Sequence, residues 1–531
     1  MNIQYMKVKL FFIIFLSLAI YTIEYGAGFL EAYSLAQGQM AGEVSDHSVI
    51  LQTRITSSNP LFDKSWSGIP GLTGWACFEI STTPDFKESF RTPWIKAVPD
   101  YDYIVKTKIT DLDPGRRYYY RVIYGPDTIN TGKGMTSNFK TQGEGKSHDE
   151  ISFAVVTGMH YSRFHHTGRE KRKNANDPSS NKKKIPPSSG EDELLGYPAL
   201  VSILKLKPDY FVGTGDNVYY DGPFVGRAET QQQIRRKYQE QFSQPRFVDL
   251  FQQVATYWMK DDHDFRFNDS DPINPYLVER NYNLDYYPKT NIYEHISGSG
   301  SEPSAKLGIR MFQEQLPVVD PEESNPVTYR TFRVNDWLQI WFVEGRDYRD
   351  ANDRPDGPNK SIWGLKQKNW LKETLLQSDT VFKFLLSATP MIGPGDKEKR
   401  DSHVNPGGFR YEGDAFFRWL TENGFHDKNF YLICGDRHWQ YHAIHPSGFE
   451  EFSCGALVGA NATMGYLPGD PNSSDPEGKI KQPYHNEEPT GGFLILTVKS
   501  GKGKKQPIAR ITFYDEKGIV LYKTEKVAAN N

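Results

Sequence analysis

Pro208–Pro223 reads PDYFVGTGDNVYYDGP. Tyr210 to Val212 is a short apolar run with β-branched and aromatic character, the composition of a strand. Gly213 and Gly215 break the run, and Asp216 follows at once. In open α/β sheets, ligands bind at the carboxyl ends of strands. A carboxylate placed there can bridge two metal ions, and Tyr219, just beyond it, can add a phenolate. The plain alternative is a surface turn, since GD is a common turn pair. The rest of the chain decides between the two.

The same pattern recurs on both sides of this stretch. Ile151–Val156 (ISFAVV) runs into Thr157-Gly158-Met159-His160, with His165 and His166 shortly after. Ala255–Met259 (ATYWM) runs into Lys260-Asp261-Asp262-His263-Asp264, with Asn268-Asp269 behind. Trp337–Val343 ends in Glu344-Gly345-Arg346-Asp347, Val381–Leu386 in Ser387-Ala388-Thr389-Pro390, and Phe430–Cys434 in Gly435-Asp436-Arg437-His438. Leu194–Lys205 and Gln231–Phe242 are helical in pattern. These ordered strand ends predict an α/β domain over residues 150–531 whose loops converge on one site. The tail, Gly492–Lys526, alternates as FLILTV, ARITFY and IVLY and reads as strands that finish a sheet. Ser297–Ser304 and Pro468–Gly478 read as flexible loops.

Upstream, short alternating runs at Ser48–Arg54, Trp75–Ile80, Tyr103–Ile109, Tyr118–Tyr124 and Thr136–Thr141 are separated by Gly/Pro/Asp turns. They predict an immunoglobulin- or fibronectin-like β-sandwich over residues 37–143. It carries no cluster of His, Cys or carboxylates. Gln142–His148 is a polar, Gly-containing linker. In residues 1–36, Lys7 and Lys9 precede the apolar run Leu10–Ile20, and Ser34-Leu35-Ala36 offers small residues for cleavage after Ala36. This reads as a signal peptide, with an uncleaved anchor as the alternative. It places the protein outside the cytoplasm, secreted or periplasmic, with no membrane span after signal removal. Arg169–Asp192, basic and rich in Ser and Pro, reads as an exposed, mobile insertion, or as a cationic lid over an anionic substrate.

Composition sets bounds. The 531 residues exceed what one core supports. A net charge of −3 gives no sign of a nucleic-acid-binding surface. The cysteines, Cys77, Cys434 and Cys454, are too scattered for a zinc ribbon or a disulfide framework. Each sits among apolar or aromatic neighbours and reads as a buried thiol, with one disulfide left open.

Asp216, Asp262, His263, Asn268, Asp436 and His438 offer oxygen and nitrogen donors without thiolates. Carboxylates suit hard cations, and imidazole suits zinc or iron. A two-metal centre of this kind polarises a phosphoryl oxygen and activates water. His263 can protonate the leaving oxygen, and Arg346 or Arg437 can hold phosphate oxygens.

GDNVY at Gly215–Tyr219, DDHD at Asp261–Asp264 with Asn268-Asp269, EGRDYR at Glu344–Arg349 and GDRHW at Gly435–Trp439 resemble the motifs of the alkaline phosphatase D family, the PhoD-type metallophosphoesterases. The resemblance covers nearly all of the chain beyond residue 36. It implies a metallophosphoesterase-type sandwich of two sheets flanked by helices, hydrolysis of small phosphomonoesters or phosphodiesters, and an iron–calcium centre. It implies that Asp216 is the bridging carboxylate and Tyr219 an iron ligand, with Asp262, Asn268, Asp436 and His438 as further metal ligands. His263, Arg346 and His160 are the catalytic candidates. The chain departs from the family in two places. The turn after the first catalytic strand usually carries an iron-binding Cys, and here it is Thr157-Gly158-Met159-His160, with His160 the nearest competent donor. The twin-arginine signal frequent in the family is absent. Both departures favour zinc or another divalent ion beside or in place of iron. A binding protein that has lost activity, or a hydrolase of other anionic esters, are the alternatives on this fold.

Overall fold

The computed structural model describes residues 32–58, 68–143, 150–165, 188–223, 227–272, 303–501 and 506–528. The apolar run Leu10–Ile20, His166 and nearly all of the insertion Arg169–Asp192 lie outside the described residues, as do most of the linker and of the loop Ser297–Ser304.

Two large sheets face each other. The first has nine strands, in the order Val520–Val527, Ile508–Asp515, Gly492–Lys499, Glu150–Val156, Tyr210–Thr214, Ala255–Met259, Gln39–Gly42, Val49–Arg54 and Ile104–Ile109. The second has seven, in the order Arg330–Arg333, Leu338–Val343, Phe382–Ser387, Phe430–Cys434, Glu450–Cys454, Gln440–Ile444 and Lys481–His485. The middle of each sheet is parallel. The carboxyl ends of its strands therefore gather along one edge, as the sequence pattern predicts.

Alternation along each strand builds the layers. Phe153, Val155, Tyr210, Val212 and Tyr257 point between the sheets, against Ile340, Phe342, Phe384 and Leu386. The intervening Ala154, Val156, Phe211 and Trp258 face outward, under the helices Pro198–Leu206, Gln231–Phe242, Pro245–Phe251 and Ala305–Gln315. Trp341, Leu385 and Leu432 do the same beneath Gly364–Gln377 and Arg410–Glu422 on the far side. Burial on both faces explains why these strands read as continuous apolar runs.

The N-terminal segment forms the expected β-sandwich, with a twist in its connection. Its second sheet comprises Gly132–Lys133, Arg117–Gly125, Gly74–Ser81 and Ser89–Arg91, with Ser137–Lys140 and Ile95–Ala97 paired alongside. Its first sheet is the end of the nine-stranded one. Gly42 pairs with Thr256, and the Glu43 amide donates to the Thr256 carbonyl at 3.1 Å. The sheet thus runs unbroken from one segment into the other.

Gln231–Phe242 matches its predicted bounds and opens on a capping box between Thr230 and Gln233. The run Leu194–Lys205 is split instead. Gly196 takes a φ of +97° and ends a short helix, and Pro198 opens the next at its first turn. The three cysteines are buried free thiols. Cys434 faces the outer helices and Cys454 the space between the sheets, so adjacent strands direct them to opposite faces. Among the described residues, no helix is long and apolar enough to cross a membrane.

Candidate active site

Two corners carry the centre. Asp216 follows Tyr210–Thr214 and Asp436 follows Phe430–Cys434, one from each sheet. Both adopt left-handed backbone, with φ of +55° and +56°. Such geometry costs about 1 kcal/mol for an L-residue and is tolerated best by Asn and Asp. A Cβ on Gly435 would stand 2.7 Å from the Thr214 carbonyl oxygen and 2.9 Å from that of Ala388. The seam between the sheets therefore admits no side chain, and glycine before Asp436 brings the two corners together.

Three donors converge at that seam. Asp216 Oδ2 lies 2.7 Å from the Tyr219 hydroxyl, which donates to it, and 3.0 Å from His438 Nε2. The hydroxyl and His438 Nε2 are 3.2 Å apart. Asn461 Nδ2 donates to the same hydroxyl at 2.7 Å. Asp216 Oδ1 is buried and has no hydrogen-bond partner. Burial, with the charges of Asp262 and Asp221, raises the Asp216 carboxyl to about 7 despite His263 nearby. Burial also lowers His438 to about 3, so its imidazole is neutral and free to bind a cation.

The loop after Ala255–Met259 supplies the next layer. Asp216, Asp262 and His263 each present an atom within 4.8 Å of the others, and so do Asp262, Asp269 and Asp401. Asp264 pins the loop, accepting from the Asp261 amide at 2.6 Å and from Asn217 Nδ2 at 2.5 Å. His263 Nδ1 lies 2.7 Å from Asp221 Oδ1. Burial opposes charge on His263, but Asp221, Asp262 and Asp216 outweigh it and raise its pKa well above the usual value. Burial likewise opposes the Asp262 carboxylate, while His263, Arg346 and Lys399 hold it ionised. Both oxygens of Asp401 are buried without a hydrogen-bond partner.

The remaining candidates lie around these clusters. Asn268 is exposed at the cleft, and its backbone amide donates to Asp221 Oδ2 at 3.0 Å. Arg346 is fully buried beneath the site. Its Nε donates to Asp261 Oδ1 at 2.7 Å and its Nη1 to the Ser270 carbonyl at 2.8 Å. His160 stacks on Tyr219, with ring centroids 3.9 Å apart, and contributes to neither acidic cluster. Met159 is buried in the helical layer, so the turn Thr157–His160 presents no side-chain ligand from Gly158 or Met159. Sequence reasoning passed over Asp221, Asn461, Lys399 and Asp401. Asp221 lies inside the deciding stretch, but only its contact with His263 reveals its part.

The site has two features suited to divalent metal: unpartnered buried oxygens on Asp216 and Asp401, and the neutral His438 imidazole 3.0 Å from Asp216. The residues present therefore fit such ions. The two-sheet layering is of the metallophosphoesterase type. The family profile for the PhoD-like phosphatases matches residues 188–487, and that for their N-terminal domain matches residues 28–139. The chain belongs to the PhoD-like phosphatase family and is a phosphoric ester hydrolase. Its fold is similar to a solved structure of PhoD, at 17% identity and a TM-score of 0.64, covering 93% of this chain and 89% of that one. It is also similar to the purple acid phosphatase PPD1 from yellow lupin (Lupinus luteus) seeds, at 11% identity and a TM-score of 0.54, covering 92% and 73%. No protein of curated function matches the sequence significantly.

Proposed function

We propose that the protein is an exported, metal-dependent phosphoesterase acting on small phosphomonoesters or phosphodiesters. The observation that carries this is the convergence of Asp216 Oδ2, the Tyr219 hydroxyl and His438 Nε2 within 3.2 Å of one another, with Asp216 Oδ1 left unpartnered. Asp216, Tyr219 and His438 would hold one ion, zinc or iron by their donor types. Asp262, Asn268 and Asp436 would hold a second, oxygen-bound and suited to calcium or another hard divalent ion. Such ions supply a polarised phosphoryl oxygen and an activated water.

The chain's own residues do the rest. Asp216, at the seam between the sheets, would hold both ions. His263, kept protonated by Asp221, gives the proton on its other ring nitrogen to the leaving oxygen as the ester P–O bond breaks. Arg346 acts through Asp261, fixing the loop that carries Asp262 and His263. His160 supports Tyr219 by stacking.

The test is metal removal beside one substitution. Chelation is expected to abolish hydrolysis of phosphate esters, and a divalent cation to restore it. Asp216→Asn is expected to lower kcat/KM by at least about a hundredfold with the fold intact, the order associated with losing one transition-state-stabilising group. Full turnover in that variant, or in chelated protein, would refute the proposal.

A further inference from the structure

A cleft of about 250 Å3 opens over Asp216, Asp436 and His438. His263 and the carboxylate of Asp396 also line it, and two further groups of side chains differ in chemistry. Asn268, Lys399 and Arg437 are polar or cationic, whereas Trp439, Met464 and Tyr466 are apolar or aromatic.

Arg437 is only 8% exposed and lies against Gly395, where a Cβ would come within 2.4 Å of its Nη2. Its Nη1 pairs with Asp436 Oδ2 at 3.1 Å. Its Nε and Nη2 are buried without a hydrogen-bond partner. Unpaired buried donors are rare and costly, and a planar guanidinium fork matches two oxygens of a phosphate group. Lys399 stands nearby with its ammonium 2.7 Å from Asp269 Oδ1.

The apolar set is tied to the metal-binding corner. The Thr463 amide donates to the His438 carbonyl at 3.0 Å. Gly465 lies flat on the Trp439 indole, where a Cβ would approach to 2.3 Å. The loop therefore holds Met464 and Tyr466 beside the reacting centre. Tyr466 is 37% exposed, so its ring faces solvent at the cleft. Met adapts its shape to irregular apolar partners, and Tyr presents a rigid face at low entropic cost.

Resting on the phosphoesterase reading above, we propose that the substrate is a phosphate ester of an extended apolar or aromatic alcohol. Arg437 donates to the phosphoryl oxygens, and Met464 and Tyr466 take the alcohol's hydrocarbon. In the reaction water adds to phosphorus, the ester P–O bond breaks, the leaving oxygen takes the proton of His263, and the neutral alcohol departs along this wall.

Ethyl phosphate and octyl phosphate test this, because their leaving groups have nearly the same basicity and differ in apolar length. The metal-loaded enzyme is expected to favour octyl phosphate in kcat/KM by about tenfold or more, mainly through KM. Tyr466→Ala together with Met464→Ala is expected to bring that ratio towards one. Arg437→Lys is expected to lower kcat/KM for both esters alike and leave the ratio in place. Calorimetry adds a readout independent of turnover: octylphosphonate is expected to bind the metal-loaded protein more tightly than ethylphosphonate. A ratio near one in the wild type, or an unchanged ratio in the double variant, overturns the proposal while leaving the phosphoesterase reading standing. Should neither ester turn over, the monoesterase form of the reading fails, and equal binding of the two phosphonates then overturns the substrate class.

Discussion

Between His160 and the carboxylate of Asp216 stands one aromatic ring. His160 is 4% exposed, its Nδ1 lies 3.2 Å from Ser162 Oγ, and its face rests on Tyr219. Burial, then Arg163 and His263, depress its pKa well below the usual value, so it packs as a neutral ring. His160→Phe keeps that ring and removes both nitrogens. We expect it to retain metal content and turnover and to cost less than about 1.5 kcal/mol of stability, as shape-conserving swaps do. Metal analysis and a melting curve check this, and loss of an ion would restore His160 as a ligand. The neighbouring residues show what sequence can and cannot reveal. Asp216, Asp262, His263, Asp436 and His438 were legible because each follows an apolar run within a few positions. Lys399 and Asp401 were not, because they arrive on the irregular stretch between Phe382–Ser387 and Arg410–Glu422, where no periodicity marks them.

The helix Ala305–Gln315 acts as a brace for the loop after Ala255–Met259. Ser304 caps it, accepting from the Leu307 amide at 3.2 Å, and Gly308, Met311, Phe312 and Gln315 form its buried stripe. Its other end is held from the N-terminal sandwich. Lys106 Nζ donates to the carbonyls of Gln313, Glu314 and Leu316 at 2.6, 3.1 and 2.7 Å, and Gln52 Nε2 donates to that of Gln315 at 2.7 Å. A Cβ on Gly308 would lie 1.8 Å from the Phe265 carbonyl oxygen, directly after Asp261–Asp264. Two effects compete in Gly308→Ala. Helix propensity gains about 1 kcal/mol, while forcing a methyl into packed backbone costs about 1–3 kcal/mol. At 1.8 Å the clash wins, so we expect a lower melting temperature and at least about a tenfold fall in kcat as His263 moves off line. A variant as stable and active as wild type would remove the brace from the account. Nothing in the local sequence marks this helix as a brace, because a Ser/Gly-rich run precedes it and its tether, Lys106, lies some two hundred positions away.

Local alternation marks five strands of the N-terminal sandwich to within a residue or so but misses Gln39–Gly42, Ser89–Arg91, Ile95–Ala97 and Gly132–Lys133, and nothing local shows that its first sheet continues into the catalytic one. That join is a pairing of Gly42 with Thr256, reinforced by Tyr257 donating to the Val44 carbonyl at 2.5 Å and by an ion pair between Arg330 and Glu43. We propose that residues 37–143 and 150–531 remain distinct domains in sequence that share this sheet. The N-terminal boundary is testable. Tyr33–Ser34 pairs with Thr56–Ser57, and the Ala36 amide donates to Thr56 Oγ1 at 3.1 Å. Cleavage after Ala36 would discard that strand, so we expect exported protein to begin before Tyr33. N-terminal sequencing of secreted material decides this, and a start at Gln37 would show the strand to be dispensable. Asp216 and Asp436 have a last consequence at this scale. Each caps a different sheet, and the seam between them is closed by a glycine. On the proposed function, a cation held by both corners would be a rivet as well as a reagent. Its binding energy would clamp one half of the molecule to the other, so heat resistance would follow the free ion concentration, by about 2.7 kcal/mol at a hundred times the dissociation constant. Outside the cell, where calcium is abundant and zinc scarce, the durability of the enzyme would be set by its surroundings as much as by its sequence.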